Sequence, residues 1–324
     1  METNWKAIGI VGTGLIGASW AAWFAARGFL TRMYDPQPAA RQQGLSRARA
    51  CLASLHRHGL LGDLELTVAQ DRLEVVDQLD AAVRDVGLVQ ESASENYEVK
   101  LPLFEQIDAV TDPATIVASS SSGLLITRLQ QAMRYPERSL IAHPFNPPHL
   151  MPLVELVPGE RTAPQTVETT RQFFAEHGKV PVVLRKEIPG HVANRFQAAL
   201  WREAIELVRS GVVSVEDVDR ALTAGPGLRW ALLGSHQIFH LGGGSGGIEQ
   251  FIEHIGRGWD ALWNDLAAWT SLPEDTASFL GPGVREALGG RTSEELAAWR
   301  DARLVELLRL LERQAEKEQP DQPE

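Results

Sequence analysis

Six residues, Gly12-Thr13-Gly14-Leu15-Ile16-Gly17, constrain this chain more than any others. A G-x-G-x-x-G spacing is weak evidence by itself. Here an apolar run, Ile8-Gly9-Ile10-Val11, precedes it, and a helical pattern from Leu15 to Ala26 follows. A strand that turns at once into a helix needs one glycine for the tight turn. A second lets the backbone approach a pyrophosphate, and a third lets the helix pack close to the strand. Gly12, Gly14 and Gly17 supply these in order. The helix start at Leu15 and Ile16 offers free N–H groups and the positive end of a dipole to the phosphates. Asp35 closes the next apolar run, Leu30 to Tyr34. Its carboxylate suits the ribose hydroxyls of an adenosine and repels a 2′-phosphate. Pro36 and Gln37 follow it, so Arg32 is the one nearby cation to weigh against this reading. The segment predicts NAD rather than NADP, and FAD is disfavoured because no large second cofactor region follows.

The first half of the chain alternates short β-like runs with helical stretches. The runs are Ala7 to Val11, Phe29 to Tyr34, Val86 to Gln90, Ile116 to Ser119, Leu140 to His143, Leu153 to Val157 and Val180 to Leu184. Arg41 to His56 and Glu98 to Ala109 read as helices between them. Such alternation predicts an α/β domain of Rossmann type, a mostly parallel sheet covered by helices. From Pro189 onward strand-like runs nearly vanish, while Val192 to Arg209, Glu216 to Leu222 and Glu295 to Leu311 carry apolar residues at helical spacing. The expected organisation is a nucleotide-binding domain over residues 1–186, an all-α domain for substrate and dimer contacts over 187–315, and a disordered tail over 316–324. The glycine-rich stretch Leu241 to Gly247 follows no strand, so it reads as a flexible turn and not as a second phosphate loop.

Composition narrows the function classes. With 324 residues, 44% of them hydrophobic, the chain can bury a large core. A net charge of −11 disfavours nucleic acid and anionic membranes as partners. The single cysteine, Cys51, can form neither an internal disulfide nor a cysteine-based metal site, which suits a reducing cytoplasm. It lies in a helical run and reads as a packing residue. No secretory signal is expected at the N-terminus, and no apolar run nears the length of a membrane span. No metal is predicted.

The second informative segment is His143-Pro144-Phe145-Asn146-Pro147-Pro148, followed by Leu153-Val154-Glu155. His143 ends a predicted strand at the edge where parallel sheets bind ligands. Glu155 sits on the next strand, and a short connection can bring the two side chains into contact. Oxidising an alcohol requires a base for the hydroxyl proton as hydride leaves the carbon. An imidazole suits that task, and a carboxylate behind it fixes the tautomer.

Several segments now stand together: the glycine fingerprint; Glu91-Ser92-Ala93-Ser94-Glu95-Asn96 with Lys100; the serine run Ser119 to Ser122; the His143 segment; Glu155; and Pro189-Gly190-His191-Val192-Ala193-Asn194-Arg195. In order and spacing they resemble the 3-hydroxyacyl-CoA dehydrogenase family over roughly residues 6 to 235. The resemblance implies that His143 is the catalytic base and Glu155 its partner. Ser122 and Asn194 then bond the substrate oxygen or the histidine, and Glu95 and Lys100 lie near the nicotinamide. It also implies an N-terminal dinucleotide domain and a helical C-terminal domain that forms a homodimer.

Members acting on CoA esters carry a Gly-Pro-Phe type segment early in the helical domain, where this chain has Gly225-Pro226-Gly227-Leu228-Arg229-Trp230. That departure, with Gly123 after the serine run, is similar to the branch acting on free acids, which holds L-carnitine dehydrogenase, L-gulonate 3-dehydrogenase and lambda-crystallin. The expected substrate is a small 3-hydroxy acid, L-carnitine first and L-gulonate second. Its carboxylate needs a cation, for which Arg195, Lys186 and Arg229 are candidates. Phe145, His191 and Trp230 complete the expected substrate contacts, with Trp230 the aromatic candidate for a trimethylammonium group. Trp259 and Trp263, at helical spacing, read as core or interface. His191 stands where the family has phenylalanine. The alternatives are a short-chain 3-hydroxyacyl-CoA dehydrogenase and, in another class, a crystallin-like structural or NADH-binding protein.

Overall fold

The computed structural model describes residues 5–318, with side-chain surroundings through Arg313. The chain divides into two compact units, the first ending at Asn194 and the second starting at Arg195.

The first unit holds β1 (Ala7–Val11), α1 (Leu15–Ala25), β2 (Leu30–Tyr34), α2 (Pro38–Arg57), α3 (Leu66–Asp71), β3 (Leu73–Val75), α4 (Leu79–Val83) and β4 (Leu88–Glu91). There follow α5 (Tyr97–Val110), β5 (Ile116–Ser119), α6 (Ile126–Leu129), β6 (Ser139–Pro144), β7 (Leu153–Pro158), α7 (Pro164–Glu176) and β8 (Val180–Val183). The eight strands form one sheet in the order β3-β2-β1-β4-β5-β6-β7-β8. Every pairing is parallel except β6 with β7. The order reverses direction beside β1, so β1 and β4 open a crevice at their carboxyl ends, the usual ligand position in such sheets.

Burial on both faces explains the apolar character of the central strands: β1, β4 and β5 are buried at every position. Helix α1 is buried from Gly17 to Ala25, and its Trp20, Trp23 and Phe24 pack against Phe173 and Phe174 of α7. The sequence reading missed β3, whose three residues are too few to show an alternation.

The second unit is helical: α8 (Ala193–Arg209, its first two residues in the first unit), α9 (Val215–Ala224), α10 (Pro226–Trp230), α11 (Ser235–Gly242), α12 (Gly247–His254), α13 (Trp259–Asp265), α14 (Thr276–Leu288) and α15 (Ser293–Glu318). The break between units falls after Asn194, not at 186, because the segment before it is tied to the sheet. The amides of Val192 and Ala193 donate to Glu155, and His191 bonds the carbonyl of Ser121. The expected tail begins too early, since α15 continues through Glu318; residues 319–324 lie outside the described residues. Residues 241–247 are also not a loose turn. They form the close crossing of α11 and α12, where a Cβ on Gly243 would stand 1.7 Å from the carbonyl oxygen of Gly247. Among the described residues, no helix is long and apolar enough to cross a membrane.

Candidate active site

The glycine turn leaves β1 as a strand–turn–helix. Gly12 has φ +93°, and a Cβ there would come within 2.6 Å of the carbonyl of Ser92. A Cβ on Gly17 would come within 1.9 Å of the Gly12 carbonyl oxygen. Gly14, by contrast, faces open space with nothing within 4 Å of that position. Two glycines thus close the turn and one leaves room above it. Leu15 and Ile16 open α1, and Leu15 is 73% exposed.

A cavity of about 430 Å³ lies beside this turn, lined by Gly12, Gly14, Asp35, Gln37, Ser92 and Ala93 among others. Asp35 follows β2 and its Oδ2 accepts from the amide of Thr13 at 3.1 Å, so the acidic residue also pins the turn. These residues fit a dinucleotide: a room above Gly14 for phosphates, a helix start facing it, and a carboxylate on the cavity wall. Arg32 does not enter the cavity lining. It pairs with Glu74 at 3.5 Å and donates to the Arg84 carbonyl. Arg41, which the sequence reading overlooked, donates to the main-chain oxygen of Asp35 at 2.7 Å. Its position on the first turn of α2 is evident only once that helix is seen to start at Pro38.

Behind the strand ends lies a buried polar layer. Glu91 ends β4 and accepts from Lys100 Nζ at 2.5 Å, from Ser119 Oγ at 2.5 Å and from the Ala93 amide at 2.6 Å. Lys100 is only 1% exposed. It is therefore not a solvated lysine; its ammonium is taken up by Glu91, with Glu95 at 3.9 Å. Glu95 binds the serine turn. Its Oε1 accepts from Ser121 Oγ at 2.6 Å and from the amides of Ser122 and Gly123, each at 2.8 Å. Burial alone would raise the Glu95 pKa, but these donors and Lys100 outweigh it and hold it below the ordinary value. Ser122, expected beside the base, gives its amide to Glu95, and its hydroxyl makes only a long 3.5 Å contact there.

His143 and Glu155 meet as antiparallel neighbours. β6 and β7 pair with these two residues directly opposite, and His143 Nδ1 lies 2.9 Å from Glu155 Oε2. Both side chains are buried. The other oxygen of Glu155 accepts from the amides of Val192 at 2.8 Å and Ala193 at 3.0 Å. Burial raises the Glu155 pKa, yet the bonds from His143 and the two amides more than offset it, so the net shift is downward. An ionised carboxylate only accepts, so Nδ1 must carry the proton. The lone pair of the neutral ring then sits on Nε2.

His191 is the residue whose place sequence reasoning least foresaw. Expected in the substrate pocket, it is 2% exposed, and its ring lies 5.1 Å from that of His143. Its Nε2 donates to the Ser121 carbonyl at 3.0 Å, which leaves Nδ1 buried with no partner. Burial foremost, and His143 beside it, hold its pKa below the usual imidazole value. Ser121 is thus the serine that connects the cluster, bonded to Glu95 through its hydroxyl and to His191 through its carbonyl. No sequence signal set it apart from its neighbour Ser122, which was chosen from the family pattern.

Phe145 directly follows β6 and is partly buried. The loop after it is clamped by Ser19 of α1, which bonds His149 at 2.8 Å, and by Lys179, which donates to the carbonyls of Pro148 and Met151. Asn194 lies within the first turn of α8 and is half-buried, with no side-chain hydrogen bond recorded among the described residues. Lys186 lies beyond β8, and Arg229 lies on α10. In the second unit, exposed Arg195 lines a groove with Trp201, Arg202 and Trp269, and Trp230 ends α10. Among the described residues there is no cluster fit to hold a metal ion.

Comparison with known proteins gives consistent matches along the chain. The sequence profile of the 3-hydroxyacyl-CoA dehydrogenase NAD binding domain matches residues 7–188, and that of the 3-hydroxyacyl-CoA dehydrogenase C-terminal domain matches residues 190–278. An L-carnitine dehydrogenase of Streptomyces coelicolor is 41% identical over 306 residues, 94% of this chain and 95% of that protein. An L-carnitine dehydrogenase of Pseudomonas putida is 36% identical, covering 94% of each. Among solved structures, an NAD+-dependent 5-formyl-3-hydroxy-2-methylpyridine 4-carboxylic acid 5-dehydrogenase superposes with a TM-score of 0.81 at 32% identity, over 95% of this chain and 98% of that one.

Proposed function

This chain belongs to the 3-hydroxyacyl-CoA dehydrogenase family, and from that premise we propose that it oxidises the 3-hydroxyl of L-carnitine to the 3-oxo acid with NAD. It is an NAD-dependent oxidoreductase acting on a hydroxyl group. The observation that carries the chemistry is the 2.9 Å bond from His143 to Glu155 at the carboxyl end of β6.

Ionised Glu155 takes the Nδ1 proton of His143 as its hydrogen-bond donor, so Nε2 accepts the proton of the substrate hydroxyl. The imidazolium that forms is stabilised by the same carboxylate, whose second oxygen stays fixed on the amides of Val192 and Ala193. NAD, when bound, supplies the acceptor for the hydride. Asp35 would orient its adenosine ribose, Gly14 would admit the pyrophosphate, and the start of α1 at Leu15 and Ile16 would balance the phosphate charge. Ser122 and Asn194 remain our candidates for the substrate oxygen, and Arg195 for the substrate carboxylate.

A free acid is favoured over a CoA ester by identity over nearly the whole chain with relatives named for carnitine. The superposition on a dehydrogenase of a pyridine carboxylic acid supports the same side. A homodimer through the helical unit fits the exposed apolar face of α8, where Phe196, Leu200 and Trp201 are 64%, 41% and 57% exposed. Use of NAD and the single cysteine both suit a cytoplasmic enzyme.

Initial rates of NADH formation with L-carnitine, L-gulonate and 3-hydroxybutyrate, set beside NADH consumption with acetoacetyl-CoA, test this assignment. The expected order puts L-carnitine first in kcat/KM and L-gulonate second. Preference for the CoA ester would replace it with the acyl-CoA activity, and absence of any turnover would leave a non-catalytic NADH-binding protein.

A further inference from the structure

The connection from β6 to β7, residues 145–152, joins the strand of His143 to the strand of Glu155. Pro147, Pro148 and Pro152 bring no amide proton to it, so it cannot secure itself by a ladder. Its main-chain groups are taken up one by one instead. The carbonyl of Pro147 accepts from the amides of Leu150 and Met151, at 3.0 and 2.9 Å. The carbonyls of Pro148 and Met151, on either side of His149, accept from Nζ of Lys179, which directly precedes β8. His149 meets Ser19 twice. Its amide donates to Ser19 Oγ at 2.9 Å, and its Nδ1 lies 2.8 Å from the same oxygen. A hydroxyl that accepts from the amide still has its own proton to give, and the lone pair on Nδ1 receives it.

Both anchors lead back to α1. Ser19 lies one turn beyond Leu15, where the helix starts, and is 4% exposed. Lys179 Nζ stands 5.2 Å from the centre of the Trp20 ring and 4.9 Å from that of Trp23, both on α1. The glycine turn that opens this helix lines the dinucleotide cavity. One element is therefore common to the cofactor cavity and to the connection behind the base. Four residues of helix span only about 6 Å. From Gly17 to Ala25 the helix is buried, and a segment packed that closely moves as a unit.

We propose that Ser19 and His149 are positioning residues that couple the cofactor helix to the His143–Glu155 pair. With the dinucleotide bound, α1 holds the connection fixed, and the two strand ends stay aligned. The role in turnover rests on His143 being the base, as proposed above; the mechanical link does not.

Hydrogen exchange over residues 145–153, followed by mass spectrometry with and without NADH, reads the link without any turnover. In the wild type NADH is expected to slow exchange at His149, Leu150 and Met151. In Ser19→Ala that slowing should vanish, while NADH affinity stays unchanged because the opened connection is a minor state in both proteins. His149→Leu repeats the exchange test from the other side of the bond, so a folding failure of Ser19→Ala does not end it. Each variant should lower kcat about fivefold to tenfold at nearly constant KM, the scale of one well-placed hydrogen bond. The double variant should lose no more than either alone, because both remove the same bond. His149→Asn sets an amide oxygen near the place of Nδ1 and should restore most of kcat. Slowing by NADH that survives in both single variants overturns the proposal. So do kcat losses that add in the double variant, or a His149→Asn variant no better than His149→Leu. Slowing lost in the variants while His143→Ala turns over normally keeps the link and removes the base. Slowing retained while His143→Ala is inactive keeps the base and removes the link.

Discussion

Replacing Glu155 with glutamine keeps the shape of the site and inverts its hydrogen bonding. The amides of Val192 and Ala193 demand an oxygen at one end of the new side chain, so its NH2 faces His143. An NH2 can only donate, which forces the imidazole proton from Nδ1 to Nε2 and removes the lone pair that accepts the hydroxyl proton. Glu155→Gln is expected to lower kcat by about 10²-fold or more while NADH affinity, read by fluorescence titration, stays unchanged. His191 acts on stability. Its folded pKa lies below the unfolded value of about 6.5, so on acidification the unfolded chain takes the proton first. Its contribution is complete above that pH and is lost as pH falls through the folded value. Burial dominates that shift, while His143, Glu155 and Glu95 are the titratable groups facing it. His191→Phe should make the melting temperature less sensitive to acid below about pH 6.5, measured by calorimetry across pH. The contribution of Glu155 fades only below its unfolded value of about 4.3, so its loss begins at lower pH than that of His191. At this scale the sequence announced the His143–Glu155 pair because two strand ends joined by a short connection leave few alternatives. It could not announce His191 or Ser121, whose roles depend on which carbonyl a buried ring reaches.

At the scale of elements, the turn after β1 depends on backbone clearance. Gly12→Ala puts a Cβ at φ +93° against the carbonyl of Ser92, the residue that directly follows β4. The variant should lose more than about 1 kcal/mol of stability and weaken NADH binding, seen as a lower denaturation midpoint and a higher Kd. Strand and helix order in the first unit was legible because periodicity and turn residues agree there. Ile116 to Ser119 coincides with β5, and Leu153 to Val157 falls within β7. Two features escaped. β3 has three residues and no period. The crossing at Gly243 and Gly247 looks loose because glycine marks both flexible turns and close contacts, and only the neighbouring helix decides between them.

For the whole molecule, ligand binding should register in global stability. A saturating ligand at 100 times its Kd adds about 2.7 kcal/mol to the native state. Because Asp35 lines the adenosine cavity and Arg41 is engaged with a main-chain carbonyl, NADH should raise the melting temperature and NADPH should not. The division into a sheet unit and a helical unit was foreseen from the disappearance of strand-like runs. The exact break was not, because the hydrogen bonds from residues 191–193 to the sheet leave no mark in composition. The central claim is that one imidazole takes the alcohol's proton. It is tested most directly by His143→Ala, with turnover of the best substrate and NADH affinity measured on the same preparation. Turnover falling by at least about 10²–10⁴ with NADH bound as tightly as before is the predicted result. Near-normal turnover would contradict it.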